Sequence, residues 1–334
     1  MSQHLGLVVA MDWGGTWIRT SVIDGRGTLL WNIKIPTPQH TDKRDMLNAA
    51  ENTLTEAFEW CGTDSVIGMG IAVAGPIDTE TGIFYTPPSL ANLDGVSLKH
   101  EWESKFGYPM YIGNDATLAA LAEYHLGAGL SERTSGRGAL TLLYMTISTG
   151  VGGGVIDRGN VLMGAHGMAA EIGHIKIDSS ESAPICNCGG RGCLESLISG
   201  TAISGHARNI LKSYDGKTTL SNDLLEPVTA KDVFISASHG DAVGQLILNE
   251  VVSNLSLGIT NLIHSFNPDL VVLGGGVTSG LSDAGVLDSV YQIVLSSVMS
   301  ERHKHFKLME AGLGDASGMI GASLLVRASE SVKI

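Results

Sequence analysis

The sequence predicts an α/β fold made of two similar lobes, and three observations carry that prediction. A strand, glycine turn, strand passage occurs twice, over residues 5–35 and again from Thr141 to Gly164. Strand-like apolar runs alternate with stretches of helical periodicity along the chain. At 334 residues the chain is about twice the usual domain size, so two cores are expected rather than one.

The opening passage reads LGLVVAMD, a GGT turn, WIRTSVID and an apolar stretch around LLWNIKI, which is the pattern of an antiparallel meander. Leu47, Ala50, Leu54, Ala57 and Phe58 then recur at helical spacing over 46–60. VIGMGIAVAG (66–75) is a buried strand closed by Gly75-Pro76, and PMYIG (109–113) is a shorter one. After it, Asn114 and Asp115 open a segment rich in helix formers that ends in glycine. TLLYMTI, STGVGGG and VIDRGNVLMG repeat the opening motif and read as an internal duplication. Leu248, Val252, Leu255, Ile259, Leu262 and Phe266 keep the apolar period of a long helix over 245–266, which Asn267-Pro268 ends. The strand LVVLGGGV follows at once, and the glycine-punctuated helix ASGMIGASLLVRA closes the chain. No low-complexity linker separates the lobes. The expected division is a first lobe over 1–115 and a second over 116–314, with the helix of 315–334 folding back on the first.

Composition narrows the function classes. Charged residues make up 16% and hydrophobic ones 43%, with 43 glycines and 9 prolines, which excludes a disordered or fibrous chain. Thirty-four acidic against 21 basic residues give a net charge of −13, which repels both a nucleic-acid backbone and an anionic bilayer. No apolar run approaches the roughly 18 residues that span a membrane, and LGLVVAM follows no basic segment. The expectation is a soluble, cytoplasmic protein with no nucleic-acid or membrane partner.

Three glycine clusters suggest close approach by an anion. Asp12-Trp13-Gly14-Gly15-Thr16 ends an apolar run, where glycine N–H groups can approach a phosphate and the carboxylate can hold Mg²⁺; it also reads as an ordinary hairpin turn. Ser148-Thr149-Gly150-Val151-Gly152-Gly153-Gly154 places four glycines in five residues, and Gly274-Gly275-Gly276 follows a strand, where α/β folds bind nucleotides. None is a Walker A loop or a G-x-G-x-x-G fingerprint, and no G-x-S-x-G or H-E-x-x-H is present. Asp115, at the start of a helix, reads either as its N-cap or as a general base kept ionised by the helix dipole.

The most specific local signal is His174 followed by Cys186, Cys188 and Cys193. Three thiols and an imidazole complete a tetrahedral zinc shell with no place left for water, so the metal is expected to be structural. Crowding of three cysteines into eight residues favours this over disulfides and places the chain in a reducing compartment. With one ring nitrogen on zinc, the other nitrogen of His174 is free to meet a ligand, and Glu171 and Glu195 flank the same knuckle. Two carboxylates and an imidazole suit a polyhydroxylated substrate; both glutamates also read as ordinary surface residues. Glu171-Ile172-Gly173-His174 lacks the second copy a di-iron site requires.

Together these residues resemble one family. Asp12-x-Gly14-Gly15-Thr16, Ala74-Gly75-Pro76-Ile77-Asp78, Gly113-Asn114-Asp115, Ser148 to Gly154, Glu171 to His174, Cys186 to Glu195 and Leu273-Gly274-Gly275-Gly276-Val277 look like the ROK family of sugar kinases and related repressors, in order from about residue 7 to 325. The resemblance implies an actin-like, hexokinase-type (ASKHA) fold of two lobes with ATP and sugar in a cleft, and a homodimer or higher homo-oligomer. It implies that Asp12, Gly14, Gly15 and Thr16 face the ATP phosphates and Mg²⁺. Thr149, Gly150, Gly152 and Gly153 would form a second phosphate contact, and Gly274, Gly275 and Gly276 would lie under the adenosine. Asp115 becomes the catalytic base, and Asn114, Glu171, His174 and Glu195 match positions that hydrogen-bond sugar hydroxyls. The implied reaction is ATP-dependent phosphorylation of a hexose, glucose at its 6-position foremost, with N-acetylmannosamine or fructose as alternatives. The family's repressors carry a winged-helix segment before the core, for which a core starting near residue 5 leaves no room. Pro88-Ser89-Leu90-Ala91-Asn92-Leu93 stands where many members read Pro-Asn-Leu-Pro-x-Trp, a difference at the rim of the sugar pocket. Ser148 stands where glycine is common in the family's glucokinases.

Overall fold

The alternation of apolar side chains in the first 36 residues is resolved as β1 (Leu7–Trp13), β2 (Trp17–Ile23) and β3 (Leu29–Pro36), an antiparallel meander as expected. They belong to a computed structural model that describes residues 6–38, 41–62, 66–221 and 227–331; the expected strand start at Leu5 and the end of the stretch 315–334 lie outside the described residues. Asp42 caps α1 (Lys43–Cys61) by accepting the Asp45 N–H, and Met46, Ala50, Leu54 and Ala57 turn into the core at helical spacing. β4 (Val66–Val73), α2 (Lys99–Phe106), β5 (Met110–Asn114), α3 (Asp115–His125) and α4 (Ala128–Glu132) follow. β4 and β5 add in parallel to β1, giving the sheet order β3-β2-β1-β4-β5. Trp13, wholly buried at the end of β1, stacks on Trp102 at 6.1 Å and meets Phe84 edge-on, so the strand reaches its glycine turn from a fixed anchor.

The second passage forms β6 (Thr141–Ile147), β7 (Val151–Asp157) and β8 (Asn160–Val161). Then come α5 (Glu195–Ile198), α6 (Gly200–Leu211), α7 (Ala230–Ser238), α8 (Ala242–Phe266), β9 (Leu270–Gly274), α9 (Gly276–Asp283), α10 (Leu287–Ser297), β10 (Lys307–Glu310) and α11 (Ser317–Ser331). The sheet order is β10-β9-β6-β7-β8. With β6, β7 and β8 standing for β1, β2 and β3, and β9 and β10 for β4 and β5, the order is that of the first sheet. The internal duplication is therefore visible in the topology.

Three local expectations are corrected. The glycine-rich stretch from Ser148 to Gly154 is a turn only as far as Gly150, because Gly152, Gly153 and Gly154 already pair within β7. VIDRGNVLMG is a hairpin rather than one strand: Arg158 and Gly159 both take positive φ, the conformation a two-residue turn demands. LVVLGGGV stops being a strand at Gly274, and α9 starts two residues later.

By their contacts the residues fall into two units. One holds the chain up to Gly138, Gly154–Ala170 and everything from Gly312 on; the other holds Ala139–Gly153 and Glu171–Ala311. In the first, α11 packs on α3, β4 and β1. In the second, α8 runs through the core with Ile247, Val251, Leu255, Ile259 and Leu262 buried. Polar residues interrupt α8, so it is no continuous apolar run. Even so, among the described residues it is the one helix long and apolar enough, by length and composition, to cross a membrane, and most of its apolar stretch is buried within the protein.

Candidate functional site

In the first unit, the turn after β1 is built around a half-buried charge. Pairing of β1 with β2 sets Asp12 directly opposite Arg19, whose guanidinium lies 3.2 Å from the carboxylate. Arg19 also reaches Asp315 at 3.1 Å, as does Lys34 from β3. Burial raises the Asp12 carboxyl from an ordinary 3.8 to about 6, although Arg19 pulls it down. Burial also acts upward on Asp315, but Lys34 and Arg19 together outweigh it and leave that carboxyl below its ordinary value. The first turn of α11 presses on the same group: a side chain at Gly318 would come within 2.9 Å of the Asp12 carboxyl carbon. The turn itself is held through its carbonyls, Gly14 accepting the Thr37 hydroxyl at 2.7 Å and Thr16 the Thr37 N–H at 2.9 Å. Gly15 lies where a side chain would meet Ser89, in the segment that departs from the family pattern.

Asn114 and Asp115 stand at the junction of β5 and α3. The cap is Asn114, whose Oδ1 accepts the Thr117 N–H at 3.0 Å, and this corrects the reading of Asp115 as the N-cap. Asp115 is the first residue of the helix, half-buried, with Oδ1 accepting the Ala116 N–H at 2.8 Å. A carboxylate in a first turn gains from the helix dipole whether or not it caps.

In the second unit, the turn Ser148-Thr149-Gly150 is fastened from three sides. The Ser148 carbonyl accepts the Gly200 N–H at 2.7 Å and the Thr149 carbonyl accepts the Thr201 hydroxyl at 2.7 Å. Glu195 Oε2 accepts the Val151 N–H at 2.9 Å and lies 2.7 Å from where a side chain on Gly150 would begin. Gly274 ends β9, and Gly275 takes φ 90° with its Cα against the Ile147 carbonyl, a place only glycine can fill. Gly276 starts α9.

The knuckle brings its four expected ligands together. The ligand atoms of His174, Cys186, Cys188 and Cys193 all lie within 4.8 Å of one another. Cys186 Sγ is 3.6 Å from His174 Nδ1, and Cys188 Sγ is 3.6 Å from Cys193 Sγ. A tetrahedral ion with metal–sulfur bonds near 2.3 Å has edges of about 3.7 Å, so the set fits Zn²⁺. Nδ1 is the ring nitrogen that faces the sulfurs. Lys176 Nζ stands 2.8 Å from Cys193 Sγ, a cation against the thiolate charge, and the lysine is held above its ordinary value by that bond. Without metal, burial pushes the Cys186 thiol up to about 12, while the Gly190 N–H draws Cys188 down. Cys186 also points at Glu195 Oε1, 3.4 Å away, so Glu195 touches both the knuckle and the turn. Burial raises Glu171, with His174 acting against the rise and Glu195 with it.

The predicted residues thus fall in two groups: Asp12, Gly14, Gly15, Thr16, Asn114 and Asp115 in one unit, and the turn 148–150, Glu171, His174, the cysteines, Glu195 and Gly274–Gly276 in the other. Sequence reasoning missed Arg19, Lys34, Thr37 and Asp315 in the first group, and Lys176, Gly200 and Thr201 in the second.

A family model described as the ROK family matches residues 8–329. A glucokinase of Halalkalibacterium halodurans is 32% identical over 330 residues, covering 97% of this chain and 96% of that protein. The xylose repressor of Bacillus subtilis is 29% identical, covering 97% of this chain and 78% of the repressor. The crystal structure of a ROK family glucokinase from Streptomyces griseus in complex with glucose and AMPPNP superposes with a TM-score of 0.78 at 29% identity, over 97% of this chain and all of the other. The two like-ordered sheets accordingly belong to the actin-like, hexokinase-type fold.

Proposed function

The chain is a member of the ROK family, and on that premise we propose that it transfers the γ-phosphoryl group of ATP to a hexose, in the first place to the 6-hydroxyl of glucose. The observation that carries this reading is Asp115: a half-buried carboxylate at the head of an eleven-residue helix, its Oδ1 oriented by a backbone N–H and its neighbour Asn114 capping the helix. Such a group is fixed in direction at the positive end of a helix dipole, the placement a general base requires.

Asp115 takes the proton of the sugar hydroxyl as its oxygen bonds to the γ-phosphorus and the bond to the β,γ-bridging oxygen breaks, releasing ADP. Asn114, Glu171, His174 through Nε2, and Glu195 serve the sugar hydroxyls. The N–H groups of the two glycine turns serve the phosphates, with Gly274, Gly275 and Gly276 against the nucleoside. Mg²⁺, when bound, neutralises phosphate charge; Asp12, a hard oxygen donor, suits it directly or through water. Zn²⁺ held by His174, Cys186, Cys188 and Cys193 is structural, since the protein fills all four positions.

The test is ADP release from Mg–ATP against glucose, N-acetylmannosamine, N-acetylglucosamine, mannose, fructose and allose. Turnover with one sugar, reduced about 10²- to 10⁴-fold in Asp115→Asn while sugar binding persists, is the expected result. Near-normal turnover in Asp115→Asn overturns the base assignment. The likeness to a xylose repressor favours a second reading, a regulator that binds sugar without turning it over. Tight sugar binding with no ADP release across the panel selects it.

A further inference from the structure

The stretch that leaves the knuckle runs straight onto the turn 148–151. Beyond Cys193 the chain makes the single turn of α5, and Ser199 then caps α6 by accepting the Ala202 N–H at 3.2 Å. Within seven residues, three groups of this stretch grip three consecutive peptide units of the turn: Gly200 N–H on the Ser148 carbonyl, Thr201 Oγ1 on the Thr149 carbonyl, and Glu195 Oε2 on the Val151 N–H. The Thr201 hydroxyl is itself 3.1 Å from the Ser199 hydroxyl, so the cap and the grip share one hydrogen-bonded pair.

Peptide geometry gives this arrangement a consequence. In a planar trans peptide the C=O and N–H of one unit point in opposite directions. The Ser148 carbonyl belongs to the same unit as the Thr149 N–H, and the Thr149 carbonyl to the same unit as the Gly150 N–H. Both carbonyls are drawn toward 199–201, so both N–H groups are turned away from that stretch. Successive N–H groups directed to one side form a concavity suited to phosphate oxygens.

We propose that residues 195–201 are a positioning strap for the turn 148–151, with Thr201 the residue that sets the direction of its N–H groups toward nucleotide phosphates. The proposal rests on the kinase reading and adds to it a residue with no place in the sugar or metal sites. Thr201 acts through the turn and is a positioning residue, not a catalytic one. The strap also starts at the knuckle, which gives the metal a mechanical route to the nucleotide side of the protein as well as to Glu171 and Glu195.

Thr201→Val removes the hydroxyl and keeps the shape, at an exposed position in the first turn of α6. Mg–ADP and glucose binding are measured separately by calorimetry on the intact, metal-loaded protein, with hydrogen exchange followed over 148–151. The expected result is a loss of Mg–ADP affinity of about three- to tenfold, the worth of one ordinary hydrogen bond. Glucose affinity should be unchanged, exchange over 148–151 faster, and Thr201→Ser restored to the parent values. Equal Mg–ADP affinity in Thr201→Val and the parent, or a parallel loss of glucose affinity, overturns the strap and leaves the kinase reading standing. A parent protein that binds no Mg–ADP overturns the kinase reading, and the strap with it.

Discussion

The turn between β1 and β2 and the turn between β6 and β7 are the same construction put to different use. Each joins two seven-residue strands through three residues, and each is held by its carbonyls, with a threonine hydroxyl, from Thr37 or Thr201, as one of the donors. They part in charge. The sixth residue of β1 is Asp12, half-buried and paired with Arg19, which Asp315 links in turn to Lys34; the sixth residue of β6 is Thr146, which brings no charge. The first turn is tied down within its own meander, whereas the second depends on a strap from outside its hairpin. The first hairpin thus offers a carboxylate and the second offers bare backbone. On the kinase reading these are the two things a magnesium-bound triphosphate needs.

The largest effect that separates the two turns is metal removal. Stripping Zn²⁺ from the loaded protein should free the knuckle and, through 195–201, the second turn. Because structural zinc contributes folding energy outright, the melting temperature should fall by roughly 10 °C or more. Hydrogen exchange should rise over 148–151 and stay unchanged over 14–17. Equal loosening of both turns would break the comparison, and an unchanged melt after verified metal loss would remove the knuckle from the account of stability.

The next effect belongs to the first turn alone. Burial raises Asp12 to about 6, so the folded protein holds this proton more tightly than the unfolded chain does. The stabilisation is therefore full below the ordinary value of 3.8 and is lost as pH rises through about 6. Measured without nucleotide or Mg²⁺, the stability of the parent relative to Asp12→Asn should rise by up to ~3 kcal/mol between pH 7 and pH 4. Denaturant titrations at several pH values read this difference directly. Thr146→Val, the matching change in the second hairpin, should show no such dependence, and a flat Asp12 difference would contradict the upward shift of its carboxyl.

How far this contrast was legible beforehand follows from where the interactions lie along the chain. The meander, the glycine turns and the knuckle are local patterns: alternation, glycine and ligand spacing all fall within about twenty residues. Arg19 could have been found, because a Gly14-Gly15-Thr16 hairpin sets it opposite Asp12 in register. Asp315 could not, since 296 residues separate it from Arg19 and neither side carries a motif. The cap at α3 was assigned to the wrong neighbour because Asn114 and Asp115 are both good capping residues, and only backbone angles decide between them. α2, charged along its length with Trp102 its sole buried residue, has too thin an apolar stripe to announce itself. The strap left no trace because two of its three grips end on main-chain carbonyls, which look the same in every sequence.

The smallest expected effect tests whether the first turn is held as locally as it looks. Thr37 is almost wholly buried at 4% exposure, and both its hydroxyl and its N–H donate to the turn. Thr37→Val keeps the shape and the N–H bond while leaving the Gly14 carbonyl without its hydroxyl donor. The cost should be about 1 kcal/mol, the net worth of a hydrogen bond plus a partly buried acceptor left unmet. Since Thr37 fastens only its own meander, hydrogen exchange should rise over 14–17 and nowhere in 148–151, and glucose affinity should hold. Thr201→Val should give the mirror image. If each substitution loosened both turns, the two hairpins would be mechanically one device, and their separate anchoring would lose its meaning.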